Sequence, residues 1–108
     1  MQQPDSDRRK YPRLETDQMI AVARVDTGAQ IAQSRDVSLG GIRFQIFGAE
    51  LELGDVLRIY FNVEDQTVSG LGRVVWATDL DAFTTDVGLE FLEIDPVAFQ
   101  FLEKLAAA

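Results

Sequence analysis

Two short runs in this chain carry side chains able to grip an anion. Arg9-Lys10-Tyr11-Pro12-Arg13 spaces two arginines four residues apart, with Arg8 directly ahead of them. Asp36-Val37-Ser38-Leu39-Gly40-Gly41 sets a carboxylate, a hydroxyl and a glycine at an Asp-x-Ser-x-x-Gly spacing. A guanidinium offers a planar fork of donors to phosphate or to paired acceptors, and it stacks on flat rings. Aspartate only accepts, and serine does either. Each run also has an ordinary reading. The first is a solvated basic arm, in a chain where arginine is common enough to produce the spacing by accident. The second is an Asp/Ser/Gly turn.

Catalytic chemistry has little to work with. The sequence holds no cysteine and no histidine. That excludes disulfides, Ser-His and Cys-His nucleophile pairs and the commonest metal ligand. The carboxylate pairs Glu64-Asp65 and Asp79 with Asp81 fall in expected turns and read as solvated loop charges, so no metal site is assigned. Neither a Gly-x-x-x-x-Gly-Lys loop nor a Gly-x-Gly-x-x-Gly fingerprint is present. The sequence points to a binding domain and not to an enzyme, and no cofactor is expected.

Charge is unevenly spread. Residues 1–13 hold Arg8, Arg9, Lys10 and Arg13 against Asp5 and Asp7, a net of +2, leaving −10 on the rest of the chain for a total of −8. An acidic body argues against DNA or RNA, which require a basic track along the phosphates. A small anion held at one place is still compatible. Exposed charges beyond about 8 Å are largely screened at physiological salt. A pair at about 4 Å near the surface has roughly 4 kcal/mol of Coulomb energy before desolvation. No apolar run reaches the length of a membrane span, and the N-terminus lacks the apolar stretch of a signal peptide. A cytoplasmic location fits these features.

The elements that must position these groups are mostly strands. Residues 1–8 read as a flexible tail and 9–108 as one domain. Met19 to Val25 is apolar and ends at a turn over Asp26-Thr27-Gly28. A more polar strand covers Ile31 to Val37. Ile42, Phe44 and Ile46 alternate with Arg43, Gln45 and Phe47, as do Leu57, Ile59, Phe61 and Val63 with their neighbours, a period of two. A strand over Val68 to Ala77 contains Gly70 and Gly72, the mark of a bulge or tight bend. Val87, Leu89 and Phe91 form the last apolar face. Then the period changes: Asp95 caps, Pro96 starts, and Val97, Phe101 and Leu105 follow at helical spacing beside Ala98 and Leu102. The expected fold is mainly β, six antiparallel strands closing into a barrel with a C-terminal α-helix over one end. An open α+β sandwich is the competing architecture.

In this order, and on this strand pattern, the two runs resemble the two-part signature of the PilZ domain family. Gly72-Arg73-Val74-Val75-Trp76 is similar to that family's later strand, Val87-Gly88-Leu89-Glu90-Phe91 to its final one, and the apolar C-terminal helix also matches. The likeness extends from about Arg8 to Leu105.

The resemblance implies a receptor for cyclic di-GMP, a ligand with two phosphates and two guanines. By matching position, Arg9 and Arg13 are the central arginines. An arginine fork suits guanine O6 and N7 as well as phosphate. Asp36 would accept from a guanine N1–H and N2–H₂ edge, and Ser38 would donate to a base or phosphate. Gly41 would permit a tight path through positive φ or close ligand approach. Arg8 implies an intercalated pair, two ligand molecules per domain. Lys10 at the rim and Trp76 beside a base are further candidates, Trp76 being equally a barrel-wall aromatic. Arg43 and Arg73 face outward, either beside the site or into solvent. The expected mechanism is an N-terminal segment that orders over the barrel wall on binding and signals to a downstream protein. The alternative is a PilZ-like module that binds proteins without a ligand.

Overall fold

The computed structural model describes residues 14–15, 18–24, 28–63 and 65–107. Among these residues, seven strands precede one helix: β1 (Leu14–Glu15), β2 (Met19–Arg24), β3 (Ala29–Val37), β4 (Gly41–Phe47), β5 (Val56–Val63), β6 (Gln66–Asp79), β7 (Thr84–Ile94) and α1 (Pro96–Ala107). Every pairing is antiparallel. β2 joins β3, β3 joins β4, β4 joins β7, β7 joins β6, β6 joins β5, and β5 returns to β2. Six strands therefore close a barrel, as the sequence leads one to expect, and the open sandwich is excluded. β1 is an addition: two residues paired to β3 on the flank that β2 occupies further along.

The alternation sets the core. Ile42, Phe44 and Ile46 of β4 point inward, as do Leu57, Ile59 and Phe61 of β5, Ile20 and Val22 of β2, and Val87 and Leu89 of β7, all buried. A fully buried side chain of this kind stabilises the fold by about 1.5–3 kcal/mol over leaving it exposed. Phe61 stacks on Phe91 with ring centroids 6.2 Å apart. Buried Ser34 is satisfied by exchange with Gln18: its N–H donates to the Gln18 carbonyl and its Oγ accepts the Gln18 N–H. The Gln18 side chain in turn bridges to the backbone of Asn62 on β5.

Strand ends differ from the sequence expectation. β6 runs two residues further at each end, and β7 starts at Thr84 and continues to Ile94. Main-chain pairing proceeds across polar residues without an apolar pattern to mark it. Gly70 and Gly72 sit near an irregularity in which Leu71 pairs with Glu93 and Gly72 with Phe91. A side chain at Gly72 would run into that of Leu89, so the glycine makes room for the core residue of the neighbouring strand.

The helix starts as expected. Asp95 Oδ1 accepts the Val97 N–H at 2.9 Å, and its carbonyl accepts the Phe99 N–H. Its buried line is rotated from the expected one, however. Ala98 and Leu102 are buried and Phe101 packs against the core, while Val97 is largely exposed. The helix meets β5 and β6, and the single-residue rotation buries the i, i+4 pair 98 and 102. Among the described residues, no helix is long and apolar enough to cross a membrane.

Candidate functional site

Arg8, Arg9, Lys10 and Arg13 lie outside the described residues, as does the expected tail over 1–8. The chain after them is placed by pairing: Leu14 lies opposite Val37, and Glu15 opposite Asp36. The segment following the first motif thus runs alongside the second.

The second motif spans the junction of β3 and β4. Asp36, the last but one residue of β3, is half-buried, just past an irregularity between Ser34 and Asp36 that re-aims the strand. Ser38 is buried; its N–H donates to the Gly41 carbonyl at 2.8 Å and its Oγ accepts the Gly40 N–H at 3.2 Å, which ties the hydroxyl into the turn. Gly41 opens β4 opposite Glu90 of β7. Its side-chain position is taken by the Leu89 carbonyl, so the residue must be glycine because two backbones meet there. Positive φ is not the reason: among the described residues, that conformation falls at Gly48 and Gly54.

Beyond Asp36, a single cross-strand row runs over the outer wall. Glu15 pairs with Asp36, Asp36 with Arg43, Arg43 with Gly88, and Gly88 with Trp76. From Asp36 to Trp76 this is three strand spacings, roughly 14 Å. Gly88 faces outward between the inward Val87 and Leu89, and the Trp76 indole lies in the space its side chain would fill. Trp76 is half-buried and stands just past an irregularity between Val74 and Trp76. The glycine is therefore the floor on which a flat ring rests.

Arg43 occupies the middle of the row. Its Nε donates to both oxygens of Asp86, at 3.0 and 3.2 Å, and its Nη2 to Oδ2 at 2.9 Å. Nη1 lies 3.8 Å from Asp36 Oδ2. The Arg43 side chain is 41% exposed against 10% for Asp86. The hydrogen bonds from Asp86 raise the guanidinium above its ordinary value; burial opposes this, and the charges of Asp86 and Asp36 add to it. Arg43 is thus a fixed cation beside Asp36. Arg73 is a surface residue whose Nη2 meets Glu90 Oε1 at 3.0 Å.

The structure accordingly joins Asp36 and Trp76 in one row, with Ser38 and Gly41 shaping the turn beside it. Sequence reasoning missed Asp86 and Gly88 and left Arg43 undecided. The available signal was parity: residues 43, 86 and 88 are the outward positions beside inward apolar ones. The surface offers acceptors at one end, an anchored cation in the middle and a ring at the other. It suits an elongated ligand with polar edges and flat faces.

Comparisons with known proteins agree with this fold. The PilZ domain model matches residues 7–108. A search of the curated proteins finds no match. Among solved structures, the chain is similar to the inhibitor of motility MotI/DgrA of Bacillus subtilis, with a TM-score of 0.74 and 19% identity over 92% of this chain. It is also similar to the PilZ domain of YcgR from Escherichia coli with c-di-GMP, with a TM-score of 0.71 and 18% identity over 93% of this chain. The chain spans about half of the first protein, 49%, and 89% of the second.

Proposed function

The chain belongs to the PilZ domain family, and from that premise we propose that it is a cyclic di-GMP receptor whose N-terminal arginine segment orders on the ligand and signals to a partner protein. The observation that carries this reading is the pairing of Glu15 with Asp36, which brings the chain just beyond Arg13 alongside the Asp-x-Ser-x-x-Gly turn. Arg8, Arg9 and Arg13 supply forked donors to phosphate and to guanine O6 and N7. Asp36 accepts from a guanine N1–H and N2–H₂ edge. Ser38 contributes its O–H, and Gly41 keeps the turn close to the neighbouring strand. Lys10 adds charge at the rim, and Trp76 offers a ring face for a base. The length of the row, roughly 14 Å, leaves room for more than one base, and Arg8 favours a stacked pair of ligands. The solved YcgR domain with c-di-GMP supports the choice of ligand. The function is binding, with the nucleotide released unchanged.

A calorimetric titration with cyclic di-GMP, with GTP and cyclic GMP as controls, tests this. Micromolar or tighter binding to cyclic di-GMP alone is expected, with about two ligands per chain. Replacing Arg13 by alanine removes a charge-assisted bond of roughly 1.5–3 kcal/mol, an affinity loss of about ten- to a hundredfold. If no heat evolves and Trp76 fluorescence stays constant at high ligand concentration, the ligand-independent protein-binding module replaces this reading.

A further inference from the structure

A second face of the barrel carries apolar side chains that the fold leaves uncovered. Phe47 ends β4 and is 69% exposed; Phe83, in the β6–β7 turn, is 64% exposed. Their ring centroids are 5.7 Å apart, and the Gly48 N–H donates to the Phe83 carbonyl, so the pair is held by backbone as well as by ring contact. Ile31 is 58% exposed and lies one residue beyond the Ala32–Ile46 pair, in the same direction along the sheet as Phe47. Exposed Leu80 belongs to the same turn as Phe83. Single exposed apolar residues are ordinary, but a contiguous group of this kind marks an interaction surface.

The surroundings say what fits. Residues 44–57 and 74–86 form the flanking strand ends and loops, and they hold Glu50, Glu52, Asp55, Asp79, Asp81 and Asp86 without one lysine or arginine. Asp86 is taken by Arg43, and Asp55 by Arg24 at 3.7 Å. Arg24 also donates to the Glu50 carbonyl. Asp79 and Asp81 flank Leu80 and are exposed. Arg58 lies on β5, opposite Ala23 of β2 and Leu71 of β6. A second copy of this chain, with its net charge of −8, would set like charge against like. An anionic lipid surface would be repelled in the same way.

We propose that the Ile31–Phe47–Phe83 surface, edged by Asp79 and Asp81, is a docking site for a cationic amphipathic segment of a partner protein. Its apolar side covers the paired rings, and its lysines or arginines meet the carboxylates. The surface lies at the Phe47 end of β4, whereas the Asp36–Gly41 turn lies at the Gly41 end. It does not depend on nucleotide binding.

The test uses the whole chain without nucleotide and a short synthetic Leu/Lys peptide whose leucines recur at helical spacing, with a Leu/Glu peptide of the same pattern as control. Amide shifts on titration should concentrate at Gly48, Phe83 and Thr84, and the control should not bind. Phe47→Ser with Phe83→Ser, both on exposed positions, should weaken the Leu/Lys peptide by about tenfold or more with an unchanged far-UV spectrum. Unchanged affinity in that variant, or shifts confined to other faces, would overturn the proposal. So would self-association of the parent that this variant abolishes, or binding to phosphatidylglycerol vesicles in place of the peptide.

Discussion

Arg43 holds Asp86 through two nitrogens while its third nitrogen faces Asp36 at 3.8 Å, so one guanidinium joins a buried carboxylate of β7 to the acceptor of the β3–β4 turn. Replacing Asp86 by asparagine removes the charged, two-oxygen partner. The half-exposed guanidinium recovers part of its solvation from water, so the cost is about 1–2 kcal/mol, at the low end for a charged hydrogen bond. The freed Arg43 is expected to turn onto Asp36 and compete with a guanine edge there. Denaturant midpoints and cyclic di-GMP titrations of Asp86→Asn should both fall relative to the parent. Parental values in both would mean that the pair has no role in placing Asp36.

Gly88→Ala tests the floor beneath the indole. The added methyl must occupy the position of Trp76 Nε1, so the ring has to lift or the strands separate, at about 1–3 kcal/mol. The chain has one tryptophan, which makes the readout direct. Emission should shift to longer wavelength and the ring should become more accessible to iodide quenching. An unchanged spectrum would place the indole elsewhere.

At the helix start, Asp95→Ala deletes the acceptor for the Val97 N–H. Loss of such a cap costs about 1 kcal/mol, read as a lower urea midpoint at constant slope. Asp95→Ser should retain most of the stability, because its hydroxyl accepts the same bond.

Asp81 supplies a pH dependence. Its carboxylate accepts the N–H of Phe83 at 2.8 Å and of Thr84 at 2.9 Å. The bond from Phe83, then that from Thr84, hold it below the ordinary aspartate range. The folded value is lower than the unfolded one. The stabilisation is therefore present above the unfolded value and is lost as pH falls through the folded one. Amide exchange at Phe83 and Thr84, corrected for intrinsic rates, should accelerate over that acid limb, and Asp81→Asn should flatten it. A carboxyl titration of Asp81 at the peptide value would contradict the turn geometry.

Much of the barrel was legible because period-two patterns declare themselves. Ile42, Phe44 and Ile46 on β4, and Leu57, Ile59 and Phe61 on β5, face inward as their alternation requires. The helix cap was equally plain from Asp95-Pro96. β1 was not, because two residues have no period. The rotation of the helix face toward Ala98 and Leu102 depends on where α1 crosses β5 and β6, which its own sequence does not encode. In the candidate site, Asp36, Ser38 and Gly41 were legible as a spacing. The reason for Gly41, the backbone of Leu89, comes from a strand nearly fifty residues away. Asp86 and Gly88 likewise have meaning only once β7 lies between β4 and β6.

Ring closure also restricts how this domain can assemble. Each of the six barrel strands has a neighbour on both flanks over part of its length, so no barrel strand offers a full-length edge for main-chain recruitment by another chain. Templated cross-β growth and donor-strand exchange find only short one-sided stretches on that ring, such as the end of β6 beyond Arg73. Assembly on the intact barrel therefore falls mainly to side chains on its wall or ends, where single substitutions can change partners while leaving the scaffold in place.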